Sequence, residues 1–211
     1  MLLLLSIFLS SFVIAFSGAL MPGPLLTATI SESSQRGAIA GPLLILGHSI
    51  LELLLLVALF LGLAPLLTHS IAFIIISIVG GSILLWMAIG MFRSLPTLEL
   101  KFDTKRVNQG HLIKTGILMS LANPYWTIWW ATIGLGLIMQ SKERGLAGVA
   151  CFYFGHILAD LIWYAFVSTA VGKGKRLMNN QVYRGLIGSC AVILVGFSLY
   201  FIYAAIGKML A

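Results

Sequence analysis

The chain has 211 residues, of which 60% are hydrophobic and only 9% are charged. A soluble domain carries about 25% charged residues, so this chain cannot cover a water-facing surface and is predicted to lie in a lipid bilayer. The formal net charge of +7 does not indicate a nucleic-acid partner, because the basic residues lie between apolar segments, as in the cytoplasmic loops of membrane proteins. Cys151 and Cys190 lie inside apolar segments and are interpreted as buried, reduced thiols.

Six apolar segments predict an all-α membrane protein with six transmembrane helices. They cover roughly residues 3–30, 38–64, 70–92, 115–139, 145–171 and 185–206. Polar loops are predicted at 31–36, 140–144 and 172–184. The first segment has no basic residue before its apolar run, so we expect it to be retained as a span and not cleaved as a signal peptide.

Two of the predicted helices contain proline breaks. Pro22-Gly23-Pro24 interrupts the first helix, and Asn123-Pro124 interrupts the fourth. Each proline removes a backbone donor. In lipid, such a break is tolerated only where the freed carbonyl groups find protein, water or a ligand. The breaks are therefore candidate lining for a substrate cavity, although a plain packing kink is the alternative for each break alone.

A short pattern occurs twice along the chain with an offset of 108 residues. The matched positions are Gly47 and Gly155, His48 and His156, Glu52 and Asp160, and Arg36-Gly37 and Arg144-Gly145. Four matches in one register indicate two related halves. We predict a first three-helix repeat at 1–92, a cytoplasmic linker at 93–114 and a second three-helix repeat at 115–211.

The odd number of helices in each half has a consequence for topology. A three-helix repeat must sit in the membrane the opposite way up from its partner, which is the inverted-repeat architecture of many secondary transporters. Ten of the thirteen Lys and Arg lie in the segments after the first, third and fifth predicted helices. The positive-inside rule places these segments in the cytoplasm. We therefore predict a multi-pass plasma-membrane protein with both termini outside.

Each half carries a histidine and an acid four residues apart, which places them on one helix face. An ionised acid at the bilayer centre costs about 2.5–3.5 kcal/mol. Because burial disfavours the charged forms of both carboxyl and imidazole groups, a His/acid pair in a half-dry cavity can exchange a proton near neutral pH. The alternative is structural, with each pair only holding helices together. The presence of two such pairs at matched depth favours a functional role over a purely structural one.

An aromatic cluster follows the second proline break. Its members are Tyr125, Trp126, Trp129 and Trp130. These rings can stack on a substrate, but we expect an interfacial belt or helix packing instead. Arg36 and Arg144 are expected to anchor helix starts at the interface.

The whole pattern resembles the LysE/RhtB-type translocators of the lysine exporter superfamily. The segment Ala19-Leu20-Met21-Pro22-Gly23-Pro24, followed by Arg36-Gly37, resembles the start of that family, and Ser120-Leu121-Ala122-Asn123-Pro124 resembles its fourth-helix signature. The resemblance covers nearly the full chain. It implies export of amino acids or similar small metabolites, driven by proton exchange. It also implies that Pro22, Gly23, Pro24, Asn123 and Pro124 line the cavity.

Two other functions stay open at this stage. The wider superfamily also includes metal-ion transporters, and two histidines with two carboxylates suit a divalent ion, so a metal-ion transporter using His48, Glu52, His156 and Asp160 is the alternative. An intramembrane metal-dependent enzyme is less favoured, because the chain has no H-E-x-x-H signature. We expect no catalytic residues and no cofactor. The expected partners are a small-molecule substrate, protons and the lipid bilayer, while a homo-oligomer stays open.

Overall fold

The computed structural model describes residues 1–65, 69–98, 109–174 and 179–210. The α-helices in chain order are α1 (Leu2–Ala19), α2 (Pro24–Arg36), α3 (Ala40–Ala58), α4 (Ser70–Ser94), α5 (Gln109–Leu121), α6 (Pro124–Trp129), α7 (Leu135–Lys142), α8 (Gly145–Gly174) and α9 (Asn180–Leu210). Short π-helical turns extend α3 over Leu59–Leu63 and join α6 to α7 over Trp130–Gly134, and a 3-10 turn at Leu95–Thr97 follows α4. The described residues contain no strand, so the all-α prediction is confirmed.

Five helices are long and apolar enough to cross a membrane. They are Leu2–Ala19, Ala40–Leu63, Ser70–Thr97, Gly145–Gly174 and Asn180–Leu210. Large apolar side chains such as Leu54 and Trp86 remain exposed on the outside of these helices, as expected where lipid replaces water as the surrounding solvent. The protein is therefore a multi-pass membrane protein.

The first predicted helix is broken where the prolines stand. α1 ends at Ala19, and α2 begins at Pro24. The predicted loop at 31–36 is wrong, because α2 continues through it to Arg36. The helix ends there because Gly37 adopts a φ of 78°, in the left-handed region that only glycine enters without strain.

The fourth predicted helix, 115–139, is also discontinuous. It begins earlier, at Gln109, and stops at Leu121. It restarts at Pro124, where the Asn123 side chain accepts a hydrogen bond of 3.1 Å from the backbone N–H of Tyr125. Side-chain capping of this kind satisfies a donor that the first helical turn leaves unpaired. The prediction of a helix interrupted at Asn123-Pro124 is thus confirmed.

The remaining predicted connections are shorter than expected. The loop at 140–144 shrinks to Glu143-Arg144, because α7 runs to Lys142 and α8 begins at Gly145. The proposed linker at 93–114 loses both ends to α4 and α5, and its residues 99–108 lie outside the described part of the chain. The basic loop at 172–184 likewise loses its ends to α8 and α9. Its residues 175–178 are not among those described.

Three helix pairs form the main packing contacts. α1 packs along α8, α3 packs along α5, and α4 packs along α9. α3 also crosses α8 near the middle of both helices, where His48 approaches Asp160 and Glu52 approaches His156. This antiparallel crossing brings the two His/acid pairs to one place, and the breaks between α1 and α2 and between α5 and α6 face it.

Close approach of the helix backbones depends on glycine. A Cβ on Gly47 of α3 would lie 2.0 Å from the carbonyl oxygen of Ile113 in α5. A Cβ on Gly155 of α8 would lie 2.5 Å from the carbonyl oxygen of Phe8 in α1. Both distances are shorter than any side chain tolerates, so the absence of a side chain sets the spacing of both helix pairs. Small residues serve the same purpose in other membrane-helix interfaces.

Candidate substrate and proton site

The two His/acid pairs form one buried cluster. The exposed fractions are 6% for His48, 1% for Glu52, 4% for His156 and 4% for Asp160. One ligand atom from each side chain lies within 4.8 Å of all the others. The spacing of four residues on each of two crossing helices produces this arrangement, because it turns each histidine and its acid toward the same face.

Each histidine contacts both acids. His48 Nε2 lies 3.0 Å from Glu52 Oε1 and 3.6 Å from Asp160 Oδ2. His156 Nε2 lies 3.2 Å from Glu52 Oε2 and 3.4 Å from Asp160 Oδ2. The cluster is therefore a closed ring of alternating imidazole and carboxyl groups, in which each of the two halves supplies one of each.

The Ser120 hydroxyl fixes the orientation of His48. Ser120 Oγ donates to the Gly116 carbonyl oxygen at 2.7 Å and lies 2.7 Å from His48 Nδ1. A serine hydroxyl has a single hydrogen, so in the pattern where Ser120 donates to Gly116, His48 carries a hydrogen on Nδ1 and donates it to Ser120. The other nitrogen, Nε2, then contacts carboxyl oxygen atoms, and this contact is attractive only when a proton lies on Nε2 or on the carboxyl group. The ring thus holds at least one dissociable proton.

Two indole groups hold Glu52. Trp126 Nε1 and Trp130 Nε1 donate to Glu52 Oε1 at 3.0 and 2.9 Å. An indole N–H can only donate, and hydrogen bonds to a charged carboxylate are stronger than those to a neutral group. These contacts therefore favour the ionised form of Glu52. Trp130 is fully buried, which excludes an interfacial belt for this residue and agrees with the other expectation, helix packing.

The second-half pair has fewer partners. His156 Nδ1 and Asp160 Oδ2 are buried, and neither makes a hydrogen bond to the described residues. The His156 ring instead lies against aromatic rings, with its centroid 4.8 Å from Trp129 and 5.6 Å from Trp130. Unpartnered buried polar atoms are uncommon in folded proteins. Glu52 Oε2 is also without a hydrogen bond, but Glu52 Oε1 accepts from both indoles, so the pair on α8 is the less supported of the two.

A cavity of about 50 Å³ lies against the cluster. It is lined by all four His/acid side chains and by residues of both helix breaks, including Gly23 and Asn123. A cavity needs roughly 10–15 Å³ to hold one water molecule, so this space accommodates a few waters or a small polar group.

The predicted site residues divide into two groups. Six of the nine line the cavity: His48, Glu52, His156, Asp160, Gly23 and Asn123. Pro22 lines a smaller neighbouring pocket of about 10 Å³, and Pro24 and Pro124 line neither of the two. Pro124 packs on Gly80 instead: a Cβ added to Gly80 would lie 2.6 Å from Cβ of the Pro124 ring.

Sequence reasoning missed Ser120 as a site residue and did not connect Trp126 and Trp130 to Glu52. The two tryptophans are four residues apart, and a helical spacing of four puts both indoles on one face. That spacing was the signal that could have found them. Tyr164, which also lines the cavity, lies four residues after Asp160.

The fold and the cluster together define a class of protein. Apolar spanning helices, two broken helices and a buried ionisable cluster in a cavity between them are the features of a secondary transporter. Residues 16–205 match the family model described as LysE type translocator. The chain therefore belongs to the LysE type translocator family, which is a transporter family and not an enzyme family.

Two relatives match nearly the whole chain. One is the Bacillus subtilis (strain 168) protein named "Putative amino acid efflux protein YcgF", which is 23% identical over 98% of this chain and 100% of its own length. The other is the Pseudomonas aeruginosa protein named "Chemotactic transduction protein ChpE", 25% identical over 92% of this chain and 96% of its own length. No solved structure matches the chain significantly. The family and the first relative favour an exporter over the metal-ion alternative.

Proposed function

We propose that the protein exports amino acids or similar small metabolites in exchange for protons, through the buried His/acid cluster near the middle of the membrane. The observation that carries the proposal is the shared cavity: two carboxyl groups, two imidazoles and both helix breaks line it. Ionisable groups inside membrane segments are costly and mark ion and substrate pathways. The name of the Bacillus relative supports amino acids as the substrate class.

The cavity suits a substrate with an ammonium group. Two acids line it, and no Lys or Arg is among its lining residues in the described part of the chain. A cationic amino group therefore has charge partners at Glu52 and Asp160, whereas a carboxylate finds no lysine or arginine there, and the imidazole of His48 already faces the two acids.

The substrate's carboxylate has a different partner, the N-terminus of α2. Gly23 caps this helix without a side-chain hydrogen bond, and both Gly23 and Leu25 line the cavity. Unpaired N–H groups at a helix N-terminus attract anions. The N-terminus of α6 is less available, because Asn123 already caps it. In this proposal Pro22, Pro24 and Pro124 act by creating the breaks, and Gly23 and Asn123 act by lining the cavity.

The proton-exchange part rests on the hydrogen-bond pattern of His48. In the pattern where Ser120 donates to Gly116 and accepts from His48, the ring of four groups carries a dissociable proton that an incoming ammonium group can replace. The replacement leaves the total charge of the site unchanged. Alternate loading with proton and substrate is the requirement for an exchanger.

The proposed architecture has six spans in two inverted repeats, 1–92 and 115–211, joined by the linker 93–114, whose last residues from Gln109 onward already belong to α5. Its support is that contacts between the halves come in matched sets. α1 corresponds to α5 with an offset of 105 residues, and α3 corresponds to α8 with an offset of 108. Between α3 and α5, Gly47 contacts Ile113, and the matching contact between α8 and α1 is that of Gly155 with Phe8. In the same way, the contact of Gly116 with Leu44 matches that of Ser11 with Phe152.

The proposed orientation in the plasma membrane has both termini outside and the basic segments in the cytoplasm. It can be tested with single cysteines in a chain whose Cys151 and Cys190 are replaced by alanine. A membrane-impermeant maleimide added to intact cells should label Leu2→Cys but not Gly174→Cys. Labelling of Gly174→Cys alone would reverse the orientation.

The transport proposal is tested in proteoliposomes that contain the purified protein. A radiolabelled mixture of protein amino acids is loaded inside, and efflux is measured with and without an inwardly directed proton gradient. We expect the gradient to accelerate efflux in the wild type and in Glu143→Gln, an exposed acid outside the cavity. We expect no acceleration in the double variant Glu52→Gln/Asp160→Asn.

The same vesicles separate the alternative function. Efflux of zinc, cadmium, nickel or manganese that needs His48 and His156, without amino-acid efflux, would replace the exporter proposal with metal transport. Gradient-independent amino-acid efflux would keep the substrate class and remove the proton exchange. Thermal unfolding of each variant in detergent establishes that a loss of transport is not a loss of folding.

A further inference from the structure

The two His/acid pairs are unequal because their partners differ. Ser120 contacts His48, and the offset of 105 residues between α1 and α5 makes Ala15 its counterpart in the first half. Ala15 is fully buried but has no hydroxyl. This difference accounts for the unpartnered Nδ1 of His156.

The acids differ for a similar reason. Trp126 and Trp130 stand two and six residues after Pro124, and both donate to Glu52. Leu26 and Ile30 stand two and six residues after Pro24 in the other half. Neither has a hydrogen-bond donor in its side chain. Asp160 therefore lacks counterparts of the two indoles.

The distances show the same inequality. Asp160 Oδ2 lies 3.4 Å from His156 Nε2 and 3.6 Å from His48 Nε2, and both exceed the roughly 2.7–3.2 Å of an ordinary N–H···O bond. Glu52 Oε1 accepts two indole hydrogens at 3.0 Å or less and lies 3.0 Å from His48 Nε2. Glu52 is thus the firmly held acid, and Asp160 is the loosely held one.

Counting protons identifies what Asp160 can do. With Ser120 donating to Gly116, His48 donates a hydrogen from Nδ1 to the Ser120 oxygen and carries a second hydrogen on Nε2 that faces the carboxylates. His156 needs one hydrogen, on Nε2, to face Glu52. With both acids ionised, the cluster then has a net charge of minus one. A single proton on Asp160 makes the cluster neutral, and so does one ammonium group beside it.

We propose that Asp160 is the acid for which the coupled proton and the substrate's ammonium group compete, and that Ser120, Trp126 and Trp130 position His48 and Glu52 as a fixed ion pair. The inference rests on the proposed function and assigns different roles within its site. In the exchange, the O–H bond on Asp160 breaks, the proton leaves through the cavity, and the ammonium group takes its place beside the carboxylate. The reverse step restores the proton.

The groups that face Asp160 come from few elements. His48 and Glu52 approach from α3, His156 and Tyr164 share its own helix, and Tyr125 also lines the cavity. α1, which packs along α8, has no titratable side chain. The charged residues of α2 and α7 lie in the last two turns of those helices. No other carboxyl group lines the cavity among the described residues.

The first experiment needs no substrate. Trp126 and Trp129 line the cavity, so the tryptophan fluorescence of the purified protein should report protonation of the cluster. We expect a pH-dependent transition in the wild type that persists in Glu52→Gln and disappears in Asp160→Asn. A transition that survives in Asp160→Asn and disappears in Glu52→Gln would overturn the proposal.

The second experiment measures binding of the radiolabelled amino-acid mixture as a function of pH. Displacement of one proton predicts that wild-type affinity falls by about tenfold per pH unit on the acidic side of the transition. Asp160→Asn should bind weakly with no pH dependence, and Asp160→Glu should restore the dependence at a shifted pH. Glu52→Gln should bind more weakly but keep the slope.

A matched pair of variants tests the positioning role. Ala15→Ser supplies the hydroxyl that His156 lacks, which should fix a hydrogen on its Nδ1, raise the charge of the cluster and weaken amino-acid binding at least severalfold. Ser120→Ala should instead move the pH of the transition without removing it. Unchanged binding and titration in both variants would contradict the positioning role.

The outcomes separate this inference from the proposed function. If the wild type shows the Asp160-dependent transition but binds no amino acid, the proposed substrate and the ammonium part of the inference are both wrong, and the assignment of the proton stands. If the wild type binds amino acids with a slope that Asp160→Asn retains, the exporter stands and the inference fails.

Discussion

Two helices, α3 and α8, carry the same pair of groups at the same spacing, but the surrounding residues bind the two pairs differently. On α3, His48 bonds to Ser120 and Glu52 accepts two indole hydrogens. On α8, His156 Nδ1 and Asp160 Oδ2 have no hydrogen-bond partner in the described residues, whereas on α3 the only such atom of the pair is Glu52 Oε2. The comparison teaches that a repeated motif can keep its spacing while the two copies acquire different hydrogen-bond partners, and the proposed division of roles rests on this difference.

The largest expected effect is the loss of stability when Glu52, the acid that accepts the two indole hydrogen bonds, is removed. Glu52→Ala leaves two indole donors and two imidazoles buried without their shared acceptor, and we expect it to lower the free energy of unfolding by about 3–5 kcal/mol. Asp160→Ala removes only two long imidazole contacts and should cost clearly less. Chemical or thermal unfolding in detergent measures both. Equal losses would mean that the two pairs are equally supported.

The next effect concerns the indole donors. Trp130→Phe keeps most of the buried ring and removes the hydrogen bond to Glu52, so we expect a loss of about 1.5–3 kcal/mol in unfolding free energy, as for a bond to a charged group. Trp129→Phe is the matched control, because its N–H donates to the neutral Ser17 hydroxyl. A larger loss in Trp129→Phe than in Trp130→Phe would contradict an ionised Glu52.

A third comparison uses the two glycine crossings. A Cβ added to Gly47 would lie 2.0 Å from a carbonyl oxygen of the neighbouring helix, and a Cβ added to Gly155 would lie 2.5 Å from one. We expect Gly47→Ala to destabilise by about 1–3 kcal/mol, the usual cost of overpacking, and Gly155→Ala to cost less. Gly136→Ala is the control, since nothing lies within 4 Å of its added Cβ. The melting temperature should be lowest for Gly47→Ala, higher for Gly155→Ala and unchanged for Gly136→Ala.

The smallest effect is expected at Ser11. Its hydroxyl donates to the Phe152 carbonyl oxygen at 2.7 Å between α1 and α8, where the other half has Gly116 at the matched place. Ser11→Ala should lower the unfolding free energy by about 1 kcal/mol and leave the pH profile of binding unchanged. Ser10→Ala, whose hydroxyl bonds only within its own helix turn, should be neutral. A changed pH profile in Ser11→Ala would place α1 in the proton pathway.

The sequence predicted the long helices well. The segments at 38–64, 70–92 and 145–171 agree with the observed helices to within a few residues, because an uninterrupted apolar run has no other stable form in a bilayer. The errors fall on polar helix ends. Residues 31–36 were predicted as a loop because they are polar, yet α2 continues to Arg36. A serine hydroxyl can bond back to its own helix, as Ser34 does to the Ser31 carbonyl.

The candidate site was predicted in part. The repeated spacing of glycine, histidine and acid identified all four members of the cluster, because it is a local pattern that needs no knowledge of packing. The contacts of Ser120 and Trp130 with the cluster were missed, since they join different helices. Pro24 and Pro124 were expected to line the cavity and instead form the breaks beside it.

Apolarity, the duplicated motif and the two proline breaks, all readable in the sequence, determined that the chain is a helical membrane protein and which four ionisable groups it carries inward. Only the tertiary structure decided that these groups form one ring and that its two halves are unequal. The physical reason is that helix formation in lipid depends on local composition. Hydrogen-bond partners instead depend on which helices cross, and on whether a serine or an alanine stands at the crossing.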